Sequence, residues 1–99
     1  MNVLMVRSKV KAESVAEVEA AITKVFSAIE RAQPAGVRYA SSRLEDGVTF
    51  VALLELEGGV DNPLKAPPAF VEFQEDLKKW VSGPPTLEQM TVIGSYRLF

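Results

Sequence analysis

The stretch Gly47–Glu57, GVTFVALLELE, decides the fold. Its even positions, Val48, Phe50, Ala52, Leu54 and Leu56, are apolar throughout. Its odd positions, Thr49, Val51, Leu53, Glu55 and Glu57, are apolar only in the middle. Side chains of a strand alternate between faces, and a strand with one face in water shows polar residues there. Here both faces are apolar at the centre. That predicts a central strand with a covering on each side.

Upstream, Asp46-Gly47 supplies turn residues for a hairpin. The segment joined by it, Val37–Leu44 (VRYASSRL), is the most polar strand candidate, with Arg38, Ser41, Ser42 and Arg43. Charge of that kind suits a sheet edge, where it discourages unwanted pairing. Further upstream, Val15, Val18, Ile22, Val25, Phe26 and Ile29 recur at helical spacing. Ser14 and Glu17 have capping-box spacing at the start, and Pro34 and Gly36 mark the exit. A helix from Ser14 to Gln33 would run about 28 Å, enough to cross a small sheet. Before it, Asn2–Val10 reads as a strand, with Val3, Leu4, Met5 and Val6 apolar in a row.

Downstream, Gly58–Pro68 reads as a loop rich in glycine and proline. Pro68 suits the first position of a helix, whose buried face would be Phe70, Phe73, Leu77, Trp80 and Val81. Glu75 and Lys79 have the spacing of an ion pair on that helix. Gly83-Pro84-Pro85 ends it, and Glu88–Phe99 reads as a last strand interrupted by Gly94. The order is βαββαβ, the ferredoxin-like plan. The prediction is a single α+β domain over residues 1–99, with a four-stranded antiparallel sheet and both helices on one face. The helices would cover the even face of the central strand. The odd face, with Val51 and Leu53, would then need a lid from a second copy.

Composition narrows the chemistry. The 99 residues contain no cysteine and no histidine. Neither a disulfide framework nor a thiolate metal site can form, and the usual general base near neutral pH and the usual haem ligand are lacking. No metal and no cofactor are expected. The net charge is −2 with both signs interspersed, which disfavours nucleic acid and anionic membranes as partners. The absence of cysteine suits a reducing home, so a cytoplasmic protein is expected; the apolar start is too short for a signal peptide, and no run reaches transmembrane length. The same element order serves RNA-recognition domains, but those stack bases on sheet aromatics, and the central strand offers Phe50 alone.

The chain resembles the dimeric α+β barrel superfamily, and within it the small proteins of the antibiotic-biosynthesis-monooxygenase type. The likeness rests on the element order, on Asp46-Gly47-Val48-Thr49-Phe50, on Phe70-Val71-Glu72-Phe73 and on Val92-Ile93-Gly94-Ser95-Tyr96-Arg97. It implies a homodimer (a dimeric α/β barrel) with a pocket between helices and sheet in each subunit. Some such proteins oxidise aromatic polyketides or quinols with oxygen and no metal or flavin. Others degrade haem, isomerise lactones or have no established activity. Histidine-dependent haem and quinol chemistry does not fit a chain without histidine.

Candidate ligand-binding residues follow from side-chain chemistry. Arg7 and Arg97, like Arg38 and Arg43, could stabilise an enolate or phenolate, although strand arginines are commonly solvated. Tyr39, like Tyr96, could supply a phenolic hydrogen bond. Phe50 and Phe73 would wall a pocket, and the Trp80 indole could orient a ligand, although its spacing equally suits the core. Asn62 could polarise a ligand or simply form a turn. Val51, Leu53 and Ile93 are the interface candidates. Three functions fit: a cofactor-independent monooxygenase acting on a small aromatic molecule, a non-catalytic ligand-binding or interaction protein, and a small-lactone isomerase.

Overall fold

A computed structural model describes residues 2–56 and 68–97. The strands are β1 (Asn2–Lys9), β2 (Val37–Arg43), β3 (Thr49–Leu56) and β4 (Thr86–Thr91), and the helices are α1 (Val15–Ala32) and α2 (Pro68–Trp80). The strand order is β2-β3-β1-β4, antiparallel throughout. The stretch with two apolar faces, β3, is therefore one of the two inner strands, and polar β2 is an edge. This is the ferredoxin-like α+β fold.

The hairpin between β2 and β3 is held by one carboxylate. Asp46 accepts hydrogen bonds from the backbone N–H groups of Val48 and Thr49, both at 2.9 Å, and from the Thr49 hydroxyl at 2.6 Å. Those donors hold its carboxyl below the usual range. Gly47 has φ +79°, a conformation that glycine adopts without strain.

Several local expectations are corrected. The capping box does not form: Ser14 ends a short 3-10 turn (Ala12–Ser14), is itself buried, and makes no capping hydrogen bond. Its backbone is already helical (φ −100°, ψ −4°) and not extended as at a capping residue. On α2 the ion pairs run i to i+3, Lys78 to Glu75 at 3.2 Å and Lys79 to Asp76 at 3.5 Å, so Glu75 is taken by Lys78. The last strand starts and ends earlier than expected. It spans Thr86–Thr91, and Gly94 lies beyond it. Its pairing with β1 runs from Arg7–Thr86 to Asn2–Thr91 and stops where β1 begins. Leu98 and Phe99, assigned to that strand from the sequence, lie outside the described residues, as does 58–67 of the expected loop.

The register confirms the parity of the central strand. Phe50, Ala52 and Leu54 share the helix side with Ser8, Val6 and Leu4 of β1, and with Arg43, Ser41 and Tyr39 of β2. The core proper is small and lies at one end. Val10, Val18 and Phe50 are buried there, with Val15, Ile22, Leu77, Trp80 and Val81 packed around them. Backbone bonds fasten this end: Lys11 N–H donates to the Trp80 carbonyl at 2.8 Å, and Ser82 N–H to the Lys9 carbonyl at 2.8 Å. α1 buries Val18 and Val25, whereas α2 buries no residue fully. A helix with a strong apolar stripe and no buried side chain is roofing a space.

The opposite face of the sheet is not uniformly open. Val51 and Leu53 are half-buried there. Val3, on the same face between Glu55 and Met90, is fully buried, so the chain covers that end itself. At the same end Glu55 has one oxygen buried with no hydrogen-bond partner among the described residues.

Candidate functional site

The space under α2 is a cavity of about 440 Å³. Its floor is the even face of the inner strands, Leu4, Val6 and Ser8 on one and Phe50, Ala52 and Leu54 on the other. Val18 and Ile22 of α1 and Phe70, Phe73 and Leu77 of α2 form the roof. Tyr39 and Ser41 close the β2 side. Exposed Gln74, Pro85 and Leu87 form a mouth between α2 and β4. A concave, mostly apolar space with a few polar groups is the usual form of a small-molecule site.

Tyr39 is the most strongly positioned polar group of the wall. Its ring stacks on Phe26 of α1 (centroids 5.2 Å apart, planes at 10°) and meets the edge of Phe70 of α2 (6.3 Å, 77°). Two aromatic side chains, one from each helix, thus fix its orientation. Its hydroxyl bonds to no described residue, and burial pushes its pKa above the ordinary phenol value. At neutral pH it is a hydrogen-bond donor and not a base. Among the described residues the other polar groups of the wall are the Ser8 and Ser41 hydroxyls and the Gln74 amide. These can orient a neutral ligand; none is a general base near pH 7.

Of the residues singled out in the sequence, Tyr39, Phe50 and Phe73 come together on the cavity wall. Trp80 packs in the core that closes one end and does not line the cavity. Arg7 is exposed on the far face of the sheet, because its position is odd in β1 and it pairs with Val51. Arg97 is exposed beyond β4, with its guanidinium 5.1 Å from the Tyr96 ring centre. Neither arginine lines the cavity, and no arginine does. Asn62 lies outside the described residues. Val51 and Leu53 share the far face, whereas Ile93 lies beyond β4 and is 94% exposed.

Sequence reasoning missed Ser8, Ser41, Gln74 and Leu87. Signals for two of them were present. Gln74 interrupts the apolar spacing Phe70, Phe73, Leu77 on the inner face of α2. Ser8 continues the parity of Leu4 and Val6. Among the described residues no group of metal-binding side chains occurs, and no helix is long and apolar enough to cross a membrane.

No family model and no curated protein matches the sequence significantly. Solved structures match the fold along nearly the whole chain. One described as an antibiotic biosynthesis monooxygenase is 14% identical, with 95% of this chain and 100% of that chain covered and a TM-score of 0.73. SnoaB from Streptomyces nogalater, described as a cofactor-independent oxygenase and solved as a mutant, is 17% identical over 97% and 96% of the two chains, TM-score 0.70. A protein of unknown function from Nitrosomonas europaea is 13% identical over 96% and 91%, TM-score 0.71. The chain thus has the fold of the antibiotic-biosynthesis-monooxygenase-like small proteins. One fold holds both an oxygenase and a protein without assigned function, so the site has to carry the functional argument.

Proposed function

We propose that the protein is a cytoplasmic homodimer that binds a small apolar, aromatic molecule in the cavity between helices and sheet. The observation that carries this reading is the cavity itself: about 440 Å³, walled by aliphatic and aromatic side chains, with the clamped Tyr39 hydroxyl bonded to no described residue. Trp80 packs against the cluster of Val10, Val18 and Phe50, of which Val18 and Phe50 line that wall, so its fluorescence should report occupancy. Titration with a panel of bicyclic and tricyclic aromatics should give saturable quenching, weakened at least tenfold in Phe73→Asp. A panel without saturable quenching would remove the reading.

The second subunit would cover the apolar centre of the far face, where Leu53 pairs with Met5 and Ala40, and Val51, two residues along, lies between Arg7 and Ser42. A standard interface of roughly 800 Å² per subunit would suffice. Sedimentation at micromolar concentration should show a dimer that Leu53→Glu dissociates; a wild-type monomer would refute the assembly.

A second reading is favoured by the likeness to SnoaB. As an oxygenase the protein would convert an activated ring methylene to a carbonyl. One atom of O₂ enters the product, and the other leaves as water with the two methylene hydrogens, as in anthrone to anthraquinone. The substrate supplies the electrons. Oxygen uptake with anthrones and hydroquinones decides between turnover and binding alone.

A further inference from the structure

Strand alternation sorts the charges of this sheet by face. Residues paired across antiparallel strands point to the same side. Arg7 and Lys9 of β1 pair with Val51 and Thr49, Arg38 of β2 pairs with Glu55, and Glu88 of β4 pairs with Met5. All five charged residues lie on the face away from the helices. Arg43 is the exception: it shares the helix side with Phe50, but at the end of edge strand β2, where it pairs with Glu19 of α1 at the surface. Charged groups of the helices do not reach the cavity either. Glu30 lines a separate shallow groove outside Tyr39. Lys24 pairs with Glu72 at 3.4 Å, and the remaining α2 charges named above pair along the helix surface. Among the described residues, the one titratable group on the cavity wall is Tyr39.

We infer that the cavity takes a titratable aromatic ligand in its uncharged form, binding a phenol and rejecting the phenolate. This rests on the binding reading above. An anion moved from water into an apolar cavity loses hydration, and no cation among the described residues of this wall replaces it. The Tyr39, Ser8 and Ser41 hydroxyls and the Gln74 amide are matched to a neutral hydroxyl or carbonyl. Desolvation without a counter-charge raises the pKa of a bound acid. The sign follows. A pKa raised on binding means that affinity is complete below the pKa of the free ligand. Affinity then falls about tenfold per pH unit above it, until the bound form itself ionises. A cavity carrying a cation would show the opposite slope.

The probe is 4-nitrophenol, which titrates near neutral pH and has distinct phenol and phenolate absorption bands. Its methyl ether, 4-nitroanisole, is the reference, with no proton to lose. The ether should bind with one affinity across the neutral range. 4-Nitrophenol should bind at low pH and weaken about tenfold per unit above its own pKa. With protein in excess, its phenolate band should emerge at higher pH than in buffer. Equal or tighter binding of the phenolate, seen as a band emerging at lower pH, overturns the inference. If neither compound binds at any pH, the binding reading fails, and this inference with it.

Discussion

Ala52→Leu should stabilise the protein and weaken ligand binding at once. Ala52 sits on the cavity floor between Val6 and Ser41 in the register, and its methyl group leaves the space above unfilled. Leucine adds three carbons. At about 0.8 kcal/mol for each buried, the ceiling is about 2.4 kcal/mol. Ordering the leucine side chain removes about 0.5–1 kcal/mol of that. The mouth between α2 and β4 leaves part of the new surface wet, so a net gain of about 1 kcal/mol is expected. In urea, with a slope of about 1 kcal/mol/M for a domain of this size, the midpoint should rise by about 1 M. Aromatic ligands should lose at least tenfold in affinity, because the leucine occupies the space they need. A lower midpoint at unchanged slope would mean that the cavity is closed in solution and the leucine overpacks it. Unchanged ligand affinity would place the ligand elsewhere.

Three further outcomes follow from particular residues. Tyr39→Phe should leave stability within about 0.5 kcal/mol, since the hydroxyl bonds to no described residue, while ligands that accept a hydrogen bond lose affinity in fluorescence titration. Asp46→Asn should lower stability near neutral pH. Because the wild-type carboxyl titrates below its unfolded value, the stability it contributes is present above that value and lost as pH falls through the folded one. Urea midpoints of wild type and variant should therefore converge in acid. Gln33→Gly should stabilise by about 0.5–1 kcal/mol in thermal unfolding, because Gln33 caps α1 at φ 46°, a left-handed conformation costly to a residue with a Cβ and more so before Pro34.

The fold was legible because two periods spoke clearly. The alternation in Val48–Leu56 placed that segment inside the sheet, and the spacing from Val15 to Ile29 placed a helix over it. Polar β2 at an edge followed from the same logic. The end of the last strand was not legible, since Val92–Arg97 alternates as well as Thr86–Thr91 does. Pairing partners, not pattern, decide where a strand stops. The site was half legible. Tyr39, Phe50 and Phe73 carry both the aromatic character and the parity of the cavity wall. The arginines were weighed for their chemistry alone. The parity of Arg7 against Phe50 already separates the two faces, as the register shows. Trp80 could not be separated from a cavity residue by spacing, because core and roof occupy one stripe of α2.

The strand order also sets how the chain must fold. Only β2 and β3 are neighbours in both sequence and space; the inner strand β1 brings residues 3–9 against 49–55 on one side and residues 2–7 against 86–91 on the other. The hairpin can close within microseconds, whereas the β1 pairings must wait for long loops to shut. During synthesis β1 emerges first and is completed last. Until the C-terminal segment arrives, its apolar run Val3–Val6 has a free edge, and that is where a nascent chain of this protein would be most exposed to wrong pairing.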